Sequence, residues 1–539
     1  MEPGAVDTDV IVVGAGMAGL YLLYHLRRLG FSAVALEQGD GVGGTWFWNR
    51  YPGARCDVPS LEYSFGFDED LQQEWEWSEL FPAQPELERY LNHVADRFDL
   101  RRDLRLNTTV VAAVWDDVAL VWTVSTDDGI TRRARFVVMA TGCLSAPQDP
   151  AIAGRDAFAG TTIFTSRWPR GGVDLAGKRV GIIGTGSSGV QTIPEIAPEV
   201  GHLFVFQRTA TFTWPSQNGP LDPEVQRATK ANYAELRRTQ RATPGGVAGS
   251  TGAIIMQAAE DRPIRTSTPE ERAAVLEEKG FSASRAWNDT TFDLEANEMA
   301  CELYREMVRR TVRDPAVAEA LSPRGYPLGC KRPVLDSHYF ETFNRDDVTL
   351  VDLRVDPIVE IDATGITTVS GHIDLDVIIF ATGFDAMTGA LTRIDVRGRE
   401  GRSLRGEWHD GPGSLLGLAV AGFPNLFTVT GPGSPSVLAN MVTGIEYHVE
   451  WIGACLEHLR ARGLVAIEAT PEAQDDWVDH VRTIAAGTSM TAETCSSWYL
   501  GANIPGKPRV FLPYAGGLNR YIAEADAVAT DGYAGFVTA

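Results

Sequence analysis

The chain has little of what marks several protein classes. Its six cysteines (Cys56, Cys143, Cys301, Cys330, Cys455, Cys495) include no C-x-x-C pair and no zinc-like spacing, so reduced thiols are expected. The nine histidines form no H-E-x-x-H and no cluster, and no metal site is expected. Basic residues are outnumbered, 48 Lys and Arg against 71 Asp and Glu, for a formal net charge of -23. Neutralising a phosphate backbone needs a basic face, so nucleic acid is excluded as a partner. No apolar run approaches the roughly 20 residues a membrane span requires. The apolar N-terminal stretch lacks a basic leader and is broken by three glycines, which argues against a signal peptide. The expectation is a cytoplasmic protein, monomeric or weakly self-associating, with no membrane partner.

What is present is a repeated grammar. At 539 residues the chain exceeds what one hydrophobic core usually organises. "DVIVVGAGMAGLYLLYHLRRLGFSAVALEQ" spells a buried strand, a glycine turn, a helix and a second strand ending at Glu37. Gly14 permits the turn, Gly16 lets backbone N–H groups approach a pyrophosphate, and Gly19 permits close helix packing. Glu37 falls where a carboxylate accepts both ribose hydroxyls of an adenosine. "KRVGIIGTGSSGVQTIPEIAPEVGHLFVFQR" repeats the device with Gly184, Thr185, Gly186, Ser187, Ser188, Gly189 and Gln191. Its matching strand end carries Arg208-Thr209 instead of an acid. A carboxylate there would repel a 2′-phosphate, whereas a guanidinium binds one, so this second site prefers NADPH to NADH. Opposite ribose signals in tandem imply electron flow from NADPH to FAD.

Between Trp214 and Cys330 the pattern turns to charged amphipathic stretches. Helix starts are signalled at Asp222-Pro223, at Thr268-Pro269 with Glu271 completing a capping box, and at Asp314-Pro315. Short β-rich runs follow ("VTLVDL", "PIVEI", "LDVIIFATGFD"). Two "ATG" turns, at Ala140-Thr141-Gly142 and Ala381-Thr382-Gly383, close apolar strands. The predicted fold is α/β, with two Rossmann-like dinucleotide-binding domains, the FAD domain discontinuous and a helical insertion in the NADPH domain. The predicted boundaries are 1–143 (FAD), 144–213 (NADPH), 214–330 (insertion), 331–380 (NADPH) and 381–539 (FAD).

"FAGTTIFTSRWP", Phe158 to Pro169, resembles F-x-G-x-x-x-H-x-x-x-W-P, the fingerprint of the type I Baeyer-Villiger monooxygenases, with Phe164 in place of its histidine. "GGTWFWNRYPGARCD", Gly43 to Asp57, is similar to the G-G-x-W-x-x-x-x-Y-P-G-x-x-x-D pattern of the same family. The likeness runs nearly the whole chain and leans toward the phenylacetone and steroid monooxygenase branch. It implies an NADPH- and O2-dependent flavoprotein that inserts one oxygen next to a ketone carbonyl, giving an ester or lactone through a C4a-peroxyflavin and a tetrahedral intermediate. By the same resemblance Gly44, Thr45, Trp46, Asp57, Tyr63 and Met441 join the FAD site, and Trp48 walls the flavin. Lys331 holds the NADP phosphate, Arg332 is catalytic with Asp57 orienting it, and Trp498 closes over NADP. Cys143 and the segment Ser434, Pro435, Ser436, Val437 and Leu438 are expected in the substrate pocket. The chemistry supports the arginine: a fixed guanidinium stabilises an oxyanion at any working pH. Two rivals stay open: oxygenation of sulfides or amines by the same cofactor, and a catalytically silent FAD/NADPH redox sensor.

Overall fold

A computed structural model describes residues 5–248 and 261–539, so part of the helical insertion, 249–260, lies outside the described residues. Two sheets organise the chain. The first has eight strands. Its parallel centre sets Thr8–Val13 between Ala33–Leu36 and Thr131–Met139, with Val13 opposite both Leu36 and Met139. Near-continuous apolar strands suit this place, because parallel strands are covered on both faces. The edge of Thr131–Met139 is shared by Leu426–Thr428, which pairs Phe427 with Val138. A strand nearly 300 residues downstream thus completes the N-terminal sheet.

The second sheet is wholly parallel, in the order Val348–Asp352, His202–Gln207, Arg179–Ile183, Val377–Phe380, Thr161–Phe164. The short strands Ile358–Ile361, Gly365–Thr368 and Gly371–Asp374 form a small antiparallel sheet of their own, and Thr213–Pro215 with Val334–Asp336 and Ile467–Ala469 with Phe536–Thr538 form two two-stranded ones.

Each nucleotide strand turns into a helix through its glycines. Gly14 sits at φ +107°, and a Cβ there would lie 2.6 Å from the Ala140 carbonyl oxygen; at Gly19 a Cβ would lie 2.0 Å from the Gly14 oxygen. The helix Met17–Arg28 can therefore press onto its strand, fully burying Leu20 and Leu26, at about 2 kcal/mol each. The second unit repeats the contact: a Cβ on Gly184 would meet the Ala381 oxygen at 2.5 Å. The two "ATG" turns are thus the floors against which the two glycine loops pack.

The insertion's helices begin where their caps are spelled. Asp222 accepts from the Glu224 N–H ahead of Pro223–Lys230, Thr268 and Glu271 close a capping box ahead of Pro269–Lys279, and Asp314 accepts from Ala316 and Val317 ahead of Pro315–Leu321. Downstream, the long helix Met441–Arg462 packs on Met17–Arg28, where Gly453 admits the His25 ring: a Cβ would lie 2.4 Å from its Nε2. Among the described residues no helix is long and apolar enough to cross a membrane, and no group of His, Cys, Asp and Glu could hold a metal ion.

The expectation of six reduced thiols needs correction. Cys330 and Cys495 form a disulfide across 165 residues, with Cα atoms 5.9 Å apart, within the range a bridge requires. Sequence spacing carries no sign of it because the fold alone brings the two segments together. Cys56, Cys143, Cys301 and Cys455 are free and buried.

Candidate active site

One continuous cavity of about 1110 Å³ is lined by residues of both nucleotide units, Glu37 of the first and Arg208 of the second among them. Gly14, Gly16, Glu37, Gly44, Thr45, Trp46, Trp48, Asp57, Tyr63 and Met441 line one part, and Gly184, Thr185, Gly186, Ser187, Ser188, Gln191, Arg208, Thr209, Lys331, Arg332 and Trp498 another. Gly19 and Gly189 lie behind the wall. Each supports its loop by admitting the helix onto the first glycine's carbonyl.

The residues present fit two dinucleotides. The Glu37 carboxylate is buried and is held by the N–H groups of Ala15 and Gly39, each at 2.8 Å, so its position is fixed beside the first glycine loop. Burial raises its pKa, and those two N–H groups oppose the rise. At Gly186 a Cβ would meet nothing within 4 Å; the space above that loop is open for a phosphate to approach the backbone. Lys331 lies over the Tyr326 ring, 4.3 Å from its centroid. Burial first, and the neighbouring Arg208 charge second, lower its pKa to about 8. Two like charges held together at a cavity wall are the donor set a 2′-phosphate calls for.

The segment Gly43 to Asp57 joins the two units. Tyr51 donates to Gln191 Oε1 at 2.9 Å, and Gln191 donates back to the Arg55 carbonyl at 3.1 Å. Gly53, at φ +79°, lies against this helix so closely that a Cβ would be 2.3 Å from the Gln191 oxygen. That turn delivers Asp57 to the cavity wall. There Arg332 grips it through both ends of its fork, Nε to Oδ2 and Nη2 to Oδ1, each at 2.7 Å, while Nη1 donates to the Val437 carbonyl at 2.5 Å. Three fixed bonds leave the guanidinium one orientation, and the adjoining carboxylate keeps it protonated despite burial.

The Phe164 ring stacks on Phe380, with centroids 5.0 Å apart and planes at 22°. The polar tie at this joint comes one residue later, from Thr165 Oγ1 to Ser188 Oγ at 3.2 Å. Arg167 of the same segment crosses to Trp48, with its guanidinium carbon 4.1 Å from the ring centroid.

The expected pocket wall 434–438 is only partly realised. Cys143 and Val437 line the cavity, but Ser434, Pro435, Ser436 and Leu438 do not. The two serine hydroxyls are engaged within the protein, Ser434 with the Gly431 carbonyl at 2.7 Å and Ser436 with the Met387 sulfur at 3.6 Å. Burial pushes the Cys143 thiol up to about 11, so it is an apolar wall. Sequence reasoning missed Ala386, which lines the cavity, and Met387 and Tyr499, which pack with Cys143 and Val437. Tyr499 is also close enough to Arg332 for each to shift the other's pKa. Its place beside Trp498 was the signal available for it.

Two glycine loops facing one cavity, one with an acid at its ribose position and the other with paired cations, define a flavoprotein that uses FAD and NADP. The description "Pyridine nucleotide-disulphide oxidoreductase" matches residues 11–242. Over 535 residues the chain is 42% identical to acetone monooxygenase (methyl acetate-forming) of Gordonia sp. (strain TY-5), covering 98% of each. It is 39% identical to a Baeyer-Villiger monooxygenase of Pseudooceanicola batsensis, covering 98% of this chain and 96% of that one. The solved structure "Oxidized steroid monooxygenase bound to NADP" superposes with a TM-score of 0.91 at 49% identity, covering 99% of both chains. The chain therefore belongs to the Baeyer-Villiger monooxygenases, oxidoreductases that use FAD, NADPH and O2 to insert an oxygen atom next to a ketone carbonyl.

Proposed function

We propose that this chain oxygenates an apolar ketone in the cavity, with Arg332 as the catalytic residue and Asp57 as its positioning partner. The observation that carries the reading is the two-ended Arg332–Asp57 grip at the junction of the two nucleotide loops. When bound, NADPH supplies electrons and FAD the means of activating O2. The protein's own residues then do three things. Arg332 presents N–H groups to negative charge developing on the carbonyl oxygen, in surroundings where such a bond is worth far more than in water. Glu37, Lys331 and Arg208 hold the adenosine ends of the two nucleotides. Trp498, at the cavity wall in a Gly- and Pro-rich segment, excludes water from the reacting centre.

The substrate class follows from the wall. Cys143, Ala386 and Val437 line the cavity and belong to one buried apolar cluster with Met387, Tyr499 and Leu512 packed behind them, which favours a hydrocarbon-rich ketone over a keto acid. With 18O2, cyclic and aryl ketones are expected to give products heavier by one labelled oxygen, and charged keto acids none. NADPH consumption without oxygenated product across the whole panel would support the silent redox sensor instead.

Phe164 has a separate expectation. Its ring makes an apolar stack where the family fingerprint has histidine, and no step above needs a proton at that position. Phe164→His should cost about 1 kcal/mol of stability for the lost stack and leave the product formed per NADPH unchanged. A large gain in that ratio would contradict the reading.

A further inference from the structure

The Cys330–Cys495 bridge joins the two segments that meet at the cofactor cavity. Cys330 directly precedes Lys331 and Arg332, and Cys495 directly precedes Ser496, Ser497 and Trp498, all of which line the cavity. The stretch 486–517 contains only two turns of 3-10 helix, Ser489–Thr491 and Trp498–Leu500, and no strand. Its place therefore depends on tertiary ties. They include the Ser489 N–H to the Thr291 carbonyl at 2.8 Å, Asn503 Nδ2 to the Phe384 carbonyl at 2.9 Å, Lys507 Nζ to Asp385 at 2.5 Å, the Gly433 N–H to the Leu512 carbonyl and the Tyr514 N–H to the Ser434 carbonyl, each at 2.7 Å, and the bridge itself. The bridge is the one covalent tie, and it fixes the Trp498 turn to the Arg332 segment.

We propose that Cys330 and Cys495 are a reversible redox modification site that sets how freely the 486–517 segment opens, and hence how long NADP is retained. The assignment of retention to this segment rests on the function proposed above. In the forward step two thiols and one hydrogen peroxide give the disulfide and two waters. In the reverse step the disulfide and two molecules of a low-molecular-weight thiol give two protein thiols and the small disulfide. The oxidant has a local source: a flavin monooxygenase that consumes NADPH without oxygenating substrate returns O2 as hydrogen peroxide. A segment that opens too readily would thus promote its own re-tethering. Both cysteines are buried, at 0% and 1% exposure, and an attacking thiol must reach a sulfur. Reduction consequently waits for local opening of a segment that carries two 3-10 turns and no helix or strand ladder of its own. Bound NADP, by keeping the segment closed, protects the bridge.

The test uses the full-length, FAD-loaded enzyme. After treatment with hydrogen peroxide or with dithiothreitol, thiols are alkylated in denaturant and the peptides weighed; the bridged Cys330–Cys495 peptide is expected only in the first sample. NADP+ release, followed by rapid displacement without ketone, is expected to be about tenfold faster from the reduced enzyme, a coupling of ordinary size between two sites. Cys495→Ser and Cys330→Ser should release NADP+ at the reduced rate and ignore peroxide. If the serine variants fail to bind FAD, the two states of the unaltered enzyme still decide. Both residues appearing as free thiols after peroxide, or equal release rates in the two states, would overturn the proposal. Redox-dependent NADP+ release with no oxygenated product from any ketone would leave the redox site standing and reject the oxygenase reading.

Discussion

Replacing Arg332 with alanine is expected to lower ester or lactone formation about a thousandfold, the upper range for removing one donor from a developing oxyanion. The guanidinium is a strong candidate because all of its freedom is already spent. Asp57 takes two of its N–H groups at 2.7 Å and the Val437 carbonyl takes another, so the charge needs no reorganisation as the reaction proceeds. Arg332→Lys should recover only part of the loss, since an ammonium offers a point charge and cannot make the two-ended contact with Asp57. Removing the cation also leaves the Asp57 carboxylate partly buried and unpaired, a few kcal/mol of destabilisation. Thermal unfolding and flavin absorbance must therefore be read beside the rate, and the prediction concerns variants that remain folded with FAD bound. Sulfide oxygenation should fall less, because it does not pass through a carbonyl oxyanion. An unchanged rate of ketone conversion would remove Arg332 from the catalytic role.

The parts of this molecule that could be read from sequence are those where chemistry is local. Both glycine loops and the helix starts at Asp222, Thr268 and Asp314 each depend on residues a few positions apart, and Glu37 and Arg208 each sit at the second strand end of one short strand–helix–strand unit, so spacing carries the physics. The parts that could not be read depend on what the fold brings together. Leu426–Thr428 is a three-residue apolar run with no address, and its pairing with Thr131–Met139 is set by the whole FAD unit. Cys330 and Cys495 meet only because the insertion and the C-terminal segment converge on one cavity. Ser434 and Ser436 are polar residues in a segment that suggests a binding wall, yet their hydroxyls are engaged at Gly431 and Met387. These contacts are set by the surrounding fold, and a motif does not encode them.

The second large effect belongs to the Arg208 wall of the cavity. Arg208→Ala is expected to raise the KM for NADPH about 30-fold, the equivalent of about 2 kcal/mol for a lost charge-assisted contact. The KM for NADH should barely change, since NADH carries no 2′-phosphate for the guanidinium to grip. The neighbouring lysine makes the same assignment testable by pH. With no nucleotide bound, burial and the Arg208 charge hold the Lys331 ammonium at a pKa of about 8. Below that pH it is charged and can bind phosphate; above it the amine is neutral and the attraction is lost. The kcat/KM for NADPH should therefore fall as pH rises through about 8, while that for NADH should show no such fall from this group. Removing the Arg208 charge should move the midpoint upward, because one of the two influences that depress it is gone. Lys331→Arg should abolish the decline, since a guanidinium does not titrate in this range. A decline that survives unchanged in Lys331→Arg would place the titrating group elsewhere and separate Lys331 from phosphate recognition.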